Sequence, residues 1–178
     1  MGHQVQNEAS ATLEIIEAHP DMAYAIANSL RQADKDEICA VYDVSEELLP
    51  HALENSLTMA VKEAGSCFAI LGPKHEDGKR RIISLFGYGD FSTDRRYPNG
   101  TVWLVSTEEL FENHAHTVTK VFLRFLLPQL LDKYGSVGNY VKASNTVHVR
   151  WLKRCGFKVD HRRQFNDESF LLMRKDHV

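Results

Sequence analysis

Apolar and polar residues alternate along the chain in a pattern that predicts strands and helices in turn. The segment Thr12 to Glu17 is rich in β-branched residues and predicts a first strand. Pro20 and Asp21 then open a helix. Its apolar positions recur at helical spacing at Met22, Ile26, Leu30 and Ala33.

A second helix is predicted after a polar break at Asp34 to Glu37. Ser45 can cap its start, and Gly65 can end it. Its apolar face would carry Leu53, Leu57 and Val61. Pro50 has no amide hydrogen and suits the first turn of a helix, so a start near Pro50 is an open alternative.

Three strands follow and should pair antiparallel. They are Cys67 to Leu71, the segment RIISLFGYGDF and the segment TVWLVST. Asn99 and Gly100 form a turn signal before the third strand. Gly87 and Gly89 lie inside the second strand without the lysine of a phosphate loop, so they indicate a bulge or a close backbone approach, with the bulge favoured.

A long helix is predicted from His116 to Tyr134, with Gly135 ending it. Pro128 lies inside this helix and removes the hydrogen bond to Arg124, so a kink or break is expected there. The strands on either side of the helix should be parallel neighbours, because a helix makes the crossover between them. The inward face is predicted to carry Val118, Phe122, Phe125, Leu126 and Leu130.

The segment from Ser136 to Asp160 predicts a strand, a capped helix and another strand. Asn145 provides the cap, and Gly156 followed by Phe157 provides the stop. The segment SFLLMRKD would pair back on the strand at Lys158 to Arg162. The helix should bury Val147, Trp151, Leu152 and Cys155, with His148, Arg150, Lys153 and Arg154 facing elsewhere.

The layout of a strand, an Asn, a helix and Gly-Phe resembles the last block of the GCN5-related N-acetyltransferase (GNAT) family. More narrowly, NYVKASNTVHVRWLKRCGF and the upstream VWLVST resemble the acetyltransferase-like internal virion proteins of short-tailed bacteriophages. The resemblance runs from Gly100 to Met173, while the N-terminal half matches only in its order of elements. It implies a single α/β domain with a mixed, mostly antiparallel sheet between helices.

Composition agrees with one globular domain. The chain has 178 residues, 43% of them hydrophobic and 25% charged, which fits one domain with a core. We predict a flexible N-terminus over residues 1–11 and a GNAT-like domain over residues 12–178.

The formal charge of −3 argues against nucleic acid as a partner, and no apolar run reaches the length of a membrane span. Three scattered cysteines favour a reducing cytoplasm.

The resemblance implies acetyl-CoA as a cofactor, held by a glycine-rich turn at a helix start. The matching segment here, STEELFENHAHTVT, has no glycine and carries Glu108, Glu109 and Glu112. The alternative that remains open is a nest of backbone amides, helped by protonated histidines. The candidate cofactor-binding residues are Asn113, His114, Ala115, His116, Thr117 and Asn145.

The general acid that the resemblance implies is also absent. Family enzymes carry a tyrosine where this chain has Leu152, and a leucine cannot protonate a leaving thiolate. Tyr88 and Tyr140 are the strand-borne tyrosines that could replace it. His114 and His116 lack a third ligand at a fixed spacing, so no metal is expected.

Two functions therefore stay open. The favoured one is a phage protein that keeps the acyltransferase fold, has weak or no catalysis, and acts as an internal virion or interaction protein. Its partners would be other phage or host proteins, in the host cytoplasm or in the virion. The alternative is an active acetyl-CoA-dependent N-acetyltransferase acting on an amine of a host or phage protein.

Overall fold

The computed structural model describes residues 12–62 and 66–177, apart from the side chains of residues 61 and 62. These residues form a seven-stranded sheet in the order β1-β2-β3-β4-β5-β7-β6. The predicted N-terminus over residues 1–11 and the predicted stop at Gly65 lie outside the described residues. The strands are β1 (Glu14–Glu17), β2 (Ser66–Leu71), β3 (Ile82–Asp90), β4 (Gly100–Ser106), β5 (Ser136–Lys142), β6 (Lys158–Phe165) and β7 (Glu168–Asp176).

Helices pack on both faces of this sheet. The α-helices are α1 (Met22–Ala27), α2 (Gln32–Tyr42), α3 (Leu49–Lys62), α4 (Ala115–Val121), α5 (Leu127–Tyr134) and α6 (Thr146–Arg154). Leu85 belongs to a core with α1, α2 and α3, whereas its neighbour Phe86 packs against a different core, which Val118 of α4 also contacts. Successive strand residues point to opposite faces, so the two groups of helices cover opposite sides. No helix in the described ranges is long and apolar enough to cross a membrane.

The strand pairing confirms the predicted fold class. β1 to β4 form an antiparallel meander, and β4 and β5 are parallel neighbours. β7 lies between β5 and β6 and is antiparallel to both. The sheet is therefore mixed and mostly antiparallel, with one parallel pair at its centre.

The predicted first helix is wrong in its extent. α1 ends at Ala27, because Leu30 makes an isolated bridge with Thr107 and the Arg31 amide donates to the Ser106 carbonyl at 2.9 Å. Both contacts hold residues 30 and 31 beside the end of β4, so these residues do not continue the helix. The predicted polar break at Asp34 to Glu37 is also wrong, since those residues lie in α2.

The start of α3 follows the alternative based on Pro50. Glu46–Leu48 form a single 3₁₀ turn, and α3 itself begins at Leu49. The Ser45 side chain makes no capping hydrogen bond. A proline in the first turn of α3 loses no helical hydrogen bond, which explains the start at this point.

The long helical segment is interrupted as Pro128 predicts. α4 ends at Val121, and a π-helical turn at Phe122–Leu126 precedes α5. The Leu127 amide donates to the Phe122 carbonyl, which adds one residue to the turn directly before the proline. The extra residue rotates the helix face, so the predicted inward position of Phe125 is wrong. Its side chain is 63% exposed, while Phe122 and Leu130 are buried.

The last helix has the predicted ends but not the predicted face. Asn145 caps α6 by accepting from the His148 amide, and Gly156 has a φ of +87°. Val147 is 40% exposed and His148 is 4% exposed, so the prediction reversed these two positions. Trp151, expected to be largely buried, is only partly buried. The buried stripe of α6 thus begins at His148 and Val149 rather than at Val147.

Candidate functional site

A gap opens between the parallel strands β4 and β5. The two strands pair only at Gly100 with Val137 and Thr101 with Gly138, although each continues for several more residues. Beyond those pairs one cavity lies on each side of the sheet. Both cavities are lined by Tyr88, Trp103, Leu104 and Asn139, so they meet at the gap.

The first cavity has a volume of about 610 Å³ and lies between the sheet and the helices α4 and α6. Phe68, Phe86 and Tyr88 form a stacked aromatic row on its sheet side. Phe122 and Trp151 contact each other on its helix side, with ring centroids 5.4 Å apart. The wall of this cavity is therefore mainly aromatic and aliphatic.

The second cavity has a volume of about 380 Å³ and lies toward α2 and α3. Its wall includes Glu37 and Asp90, together with Tyr140 of β5. Desolvation by burial, together with the neighbouring charge of Asp34, raises the pKa of Glu37 to about 8. A carboxyl group with such a pKa can take up or release a proton near neutral pH.

A buried polar cluster joins α2 to the ends of β4 and β5; we call Arg31, Asp34, Glu37, Ser106 and Asn145 the Asp34 cluster. Asp34 accepts from the Ser106 amide at 3.0 Å and from Asn145 Nδ2 at 3.2 Å. Arg31 Nη1 lies 3.7 Å from Asp34 Oδ1, and both residues are buried. Burial raises the pKa of Asp34, while the Arg31 charge acts in the opposite direction.

Replacing Glu37 with glutamine should change the pH dependence of stability. The folded-state pKa of Glu37 lies above its unfolded value. Its contribution to the stability of the folded state is therefore complete below about pH 4.5 and is lost as the pH rises through about 8. Glutamine stays neutral and can still accept from the Lys142 amide and from Asn145. As the pH rises from 5 to 8, the free energy of unfolding of Glu37→Gln should increase relative to that of the wild type by on the order of 2 kcal/mol. Urea unfolding at both pH values measures this difference, and parallel curves for the two proteins would contradict it.

The structure separates the candidate cofactor-binding residues. His114 and Thr117 line the first cavity, and Ala115 begins α4. Asn113 and His116 are exposed. Asn145 is 2% exposed, and its side chain is bonded within the Asp34 cluster. A cofactor role for these six residues stays a prediction.

The segment that should hold the pyrophosphate does not fit such a group. Helical structure starts at residues 108 and 109 and continues through a π-helical turn at Leu110–His114 into α4. The amides from Asn113 to Thr117 therefore lie inside a helical run rather than at its free start, where anions bind. Glu108 and Glu112 are exposed on this run, and both repel phosphate.

The tyrosines that could act as the acid differ in their surroundings. Leu152 lines the first cavity and is buried, so it offers no proton there. The Tyr140 hydroxyl lies 2.9 Å from His161 Nε2, and His161 Nδ1 lies 3.2 Å from Asp160 Oδ2. Tyr88 lines both cavities and stacks on Phe68. The hydrogen-bonded chain from Tyr140 to Asp160 distinguishes Tyr140 from Tyr88.

Two functional candidates escaped the sequence analysis. Glu37 was placed in a break between helices, although Asp34 and Glu37 have the spacing of one helix face, which is a usable signal. His148 was assigned to the outer face of its helix. It lines the first cavity, and only the true rotation of α6 against the sheet shows this.

Metal binding has no support from side-chain clustering. In residues 12–62 and 66–177, no three His, Cys, Asp or Glu side chains lie close enough together to hold an ion. The three cysteines are free thiols.

The sheet order and the parallel pair at its centre define an acyltransferase-type fold. No protein-family model matches the chain, and no curated protein matches it in sequence. Solved structures share the fold. The ribosomal-protein-S5-alanine acetyltransferase from Vibrio fischeri is 13% identical, with 92% of each chain covered and a TM-score of 0.59.

Two further structures extend this similarity. Spermidine N-acetyltransferase from Vibrio cholerae, solved in complex with CoA and spermine, is 14% identical, with coverage of 94% of this chain and 96% of that chain and a TM-score of 0.59. An acetyltransferase of the GNAT family from Streptococcus pneumoniae is 14% identical, with coverage of 93% and 100% and a TM-score of 0.53. The chain therefore has the GNAT acetyltransferase fold, and the similarity at this level of identity concerns the fold alone.

Proposed function

We propose that this chain is a GNAT-fold binding protein with weak or no acetyltransferase activity. The helical run that replaces the cofactor turn carries this proposal. Its amides at Asn113 to Thr117 lie within the helix, and it bears Glu108, Glu109 and Glu112 without a glycine. Phosphate binding at a helix start needs free amides and positive potential. The candidate amides at Asn113 to Thr117 lie inside the run, and the first turn of the run carries Glu108 and Glu109.

The second support is the residue at the acid position. Leu152 is buried in the wall of the first cavity, where the resemblance implies a tyrosine. General acid catalysis typically contributes on the order of 10²- to 10⁴-fold to a rate. The loss of the acid and the loss of the cofactor turn act at different steps, so their effects on activity should multiply.

The setting of this function comes from the resemblance to internal virion proteins. On that basis the chain acts in the host cytoplasm or in the virion, with other phage or host proteins as partners. The match of VWLVST and of NYVKASNTVHVRWLKRCGF supports this setting.

A turnover assay tests the proposal. Purified protein is incubated with acetyl-CoA and a panel of amines, including spermidine and lysine peptides, and CoA release is followed with a thiol reagent. We expect no release above the rate without protein. Sustained release that Tyr140→Phe lowers would contradict the proposal and identify Tyr140 as a participant.

A second candidate, an active N-acetyltransferase, is favoured by one observation. The second cavity presents Asp90 beside the gap between β4 and β5, and an acidic residue attracts a cationic amine. Glu37, whose pKa is raised to about 8, lines the same cavity and could exchange a proton with such an amine. The hydrogen-bonded chain of Tyr140, His161 and Asp160 lies next to this cavity. The same assay decides between the two candidates.

A further inference from the structure

The first cavity combines a large apolar wall with an absence of charge. Among its described lining residues there is no Asp, Glu, Lys or Arg. Its volume of about 610 Å³ falls within the range, roughly 300–1,000 Å³, of sites that bind drug-sized ligands. An uncharged wall penalises any ionised group that would lose water on entry. These properties favour an apolar ligand without net charge.

One buried polar side chain faces into this cavity without a partner. His148 is 4% exposed and lines the cavity, and its ring nitrogens have no hydrogen-bond partner within the described residues. Its ring contacts Trp151, with centroids 5.7 Å apart. Because the side chain lines the cavity, this imidazole can offer a hydrogen bond to whatever occupies the cavity.

The protonation state of His148 narrows the chemistry of that occupant. Burial and the nearby Arg31 charge lower the pKa of His148 to about 4. The imidazole is therefore neutral at pH 7 and cannot compensate an anionic head group by charge. A neutral imidazole has one donor and one acceptor nitrogen, which suits a hydroxyl or an amide.

His148 differs in burial from the other polar side chains that the structure describes along this wall. It is buried, whereas the others are partly buried or exposed; these are Thr12, Tyr88, His114, Thr117, Gln129 and Asn139. The Trp151 indole donates to Thr119 Oγ1 at 2.7 Å, so its hydrogen-bonding capacity is used. Asn139 lies at the gap between β4 and β5 and lines both cavities. A ligand head held by His148 leaves the aromatic wall of Phe68 and Phe86 for the apolar tail.

We propose that the first cavity binds an elongated, uncharged apolar molecule, of the class of fatty alcohols and fatty amides, with its polar head hydrogen-bonded to His148. This inference rests on the proposed function, because the cavity is lined by the cofactor-binding candidates His114 and Thr117 and by Leu152 at the acid position. Both tryptophans of the chain, Trp103 and Trp151, line the cavity. Ligand entry should therefore change the intrinsic fluorescence.

The test titrates the protein with decan-1-ol at pH 7.5, followed by tryptophan fluorescence and calorimetry. Decanoate and decyltrimethylammonium carry the same chain with a negative or a positive head. We expect saturable, one-to-one binding of decan-1-ol with a dissociation constant in the micromolar range, and at least tenfold weaker binding of both charged compounds. Equal affinity for all three, or no saturation with decan-1-ol, would overturn the proposal.

Variants locate the ligand. Val118→Trp fills the cavity from α4 and should weaken calorimetric binding of decan-1-ol at least tenfold. Phe125→Ser changes an exposed side chain near α4 and should leave the affinity unchanged.

His148→Phe should weaken binding about tenfold, whereas His148→Gln, which keeps a neutral donor and acceptor, should stay within about threefold. Circular dichroism checks that each variant folds, and full binding by folded Val118→Trp would overturn the proposed site.

Discussion

Replacing Asp34 by alanine should lower the free energy of unfolding by about 3–5 kcal/mol. The change removes the acceptor for the buried Ser106 amide and hydroxyl and one of the two acceptors of the Asn145 side chain. It also leaves the buried Arg31 guanidinium without its nearest buried carboxylate. Urea unfolding at pH 7 measures the loss.

Asp36→Ala provides the matched control for this change. Asp36 lies two positions further along α2 and is exposed, and among the described residues its side chain accepts from Gln32 on the same helix. Its replacement should change stability by no more than about 0.5 kcal/mol. Equal losses of stability for the two variants would show that any aspartate-to-alanine change in α2 has this effect, and would contradict a specific role of the Asp34 cluster.

Trp151→Ala should cost about 3 kcal/mol, at the lower end of the range for large aromatic residues, because this side chain is only partly buried. The variant loses the contact with Phe122 and the hydrogen bond to Thr119. Chemical denaturation gives the value. Val147→Ala on the exposed side of α6 is the control and should cost less than about 1 kcal/mol. A loss below about 1 kcal/mol for Trp151→Ala would contradict its role in packing.

Much of the fold could be predicted from local signals. The hairpin strands, the Asn145 cap and the Gly156 stop each follow from a residue whose backbone preference is strong. The crossover rule correctly predicted that β4 and β5 are parallel. The caps depend on chain segments of a few residues and the crossover depends on the order of the elements, and the sequence contains both kinds of information.

The errors arose where a distant contact determines the local structure. The first helix ends early because Leu30 and Arg31 bond to the end of β4, a partner far away in the chain. Asp34 looked like part of a polar break because its partners, Ser106 and Asn145, were not visible from spacing. Phe125 was misplaced because the π-helical turn before Pro128 adds a residue that a regular helical period does not contain.

In the candidate site too, some features follow from local sequence signals and others depend on distant contacts. The absence of glycine from the segment STEELFENHAHTVT and the presence of Leu152 are visible in the sequence, and the structure adds that residues 108–117 are helical. The gap between β4 and β5, the two cavities and the inward orientation of His148 depend on how strands diverge and how α6 rotates. No sequence period encodes these features.

Calorimetric titration with acetyl-CoA tests the central claim most directly. If the helical run from residue 108 has replaced the cofactor turn, no heat of binding above dilution should appear even at millimolar acetyl-CoA. The fold of the sample is verified by its cooperative unfolding. A saturable isotherm with a dissociation constant in the micromolar range would contradict the account and would favour an active acetyltransferase.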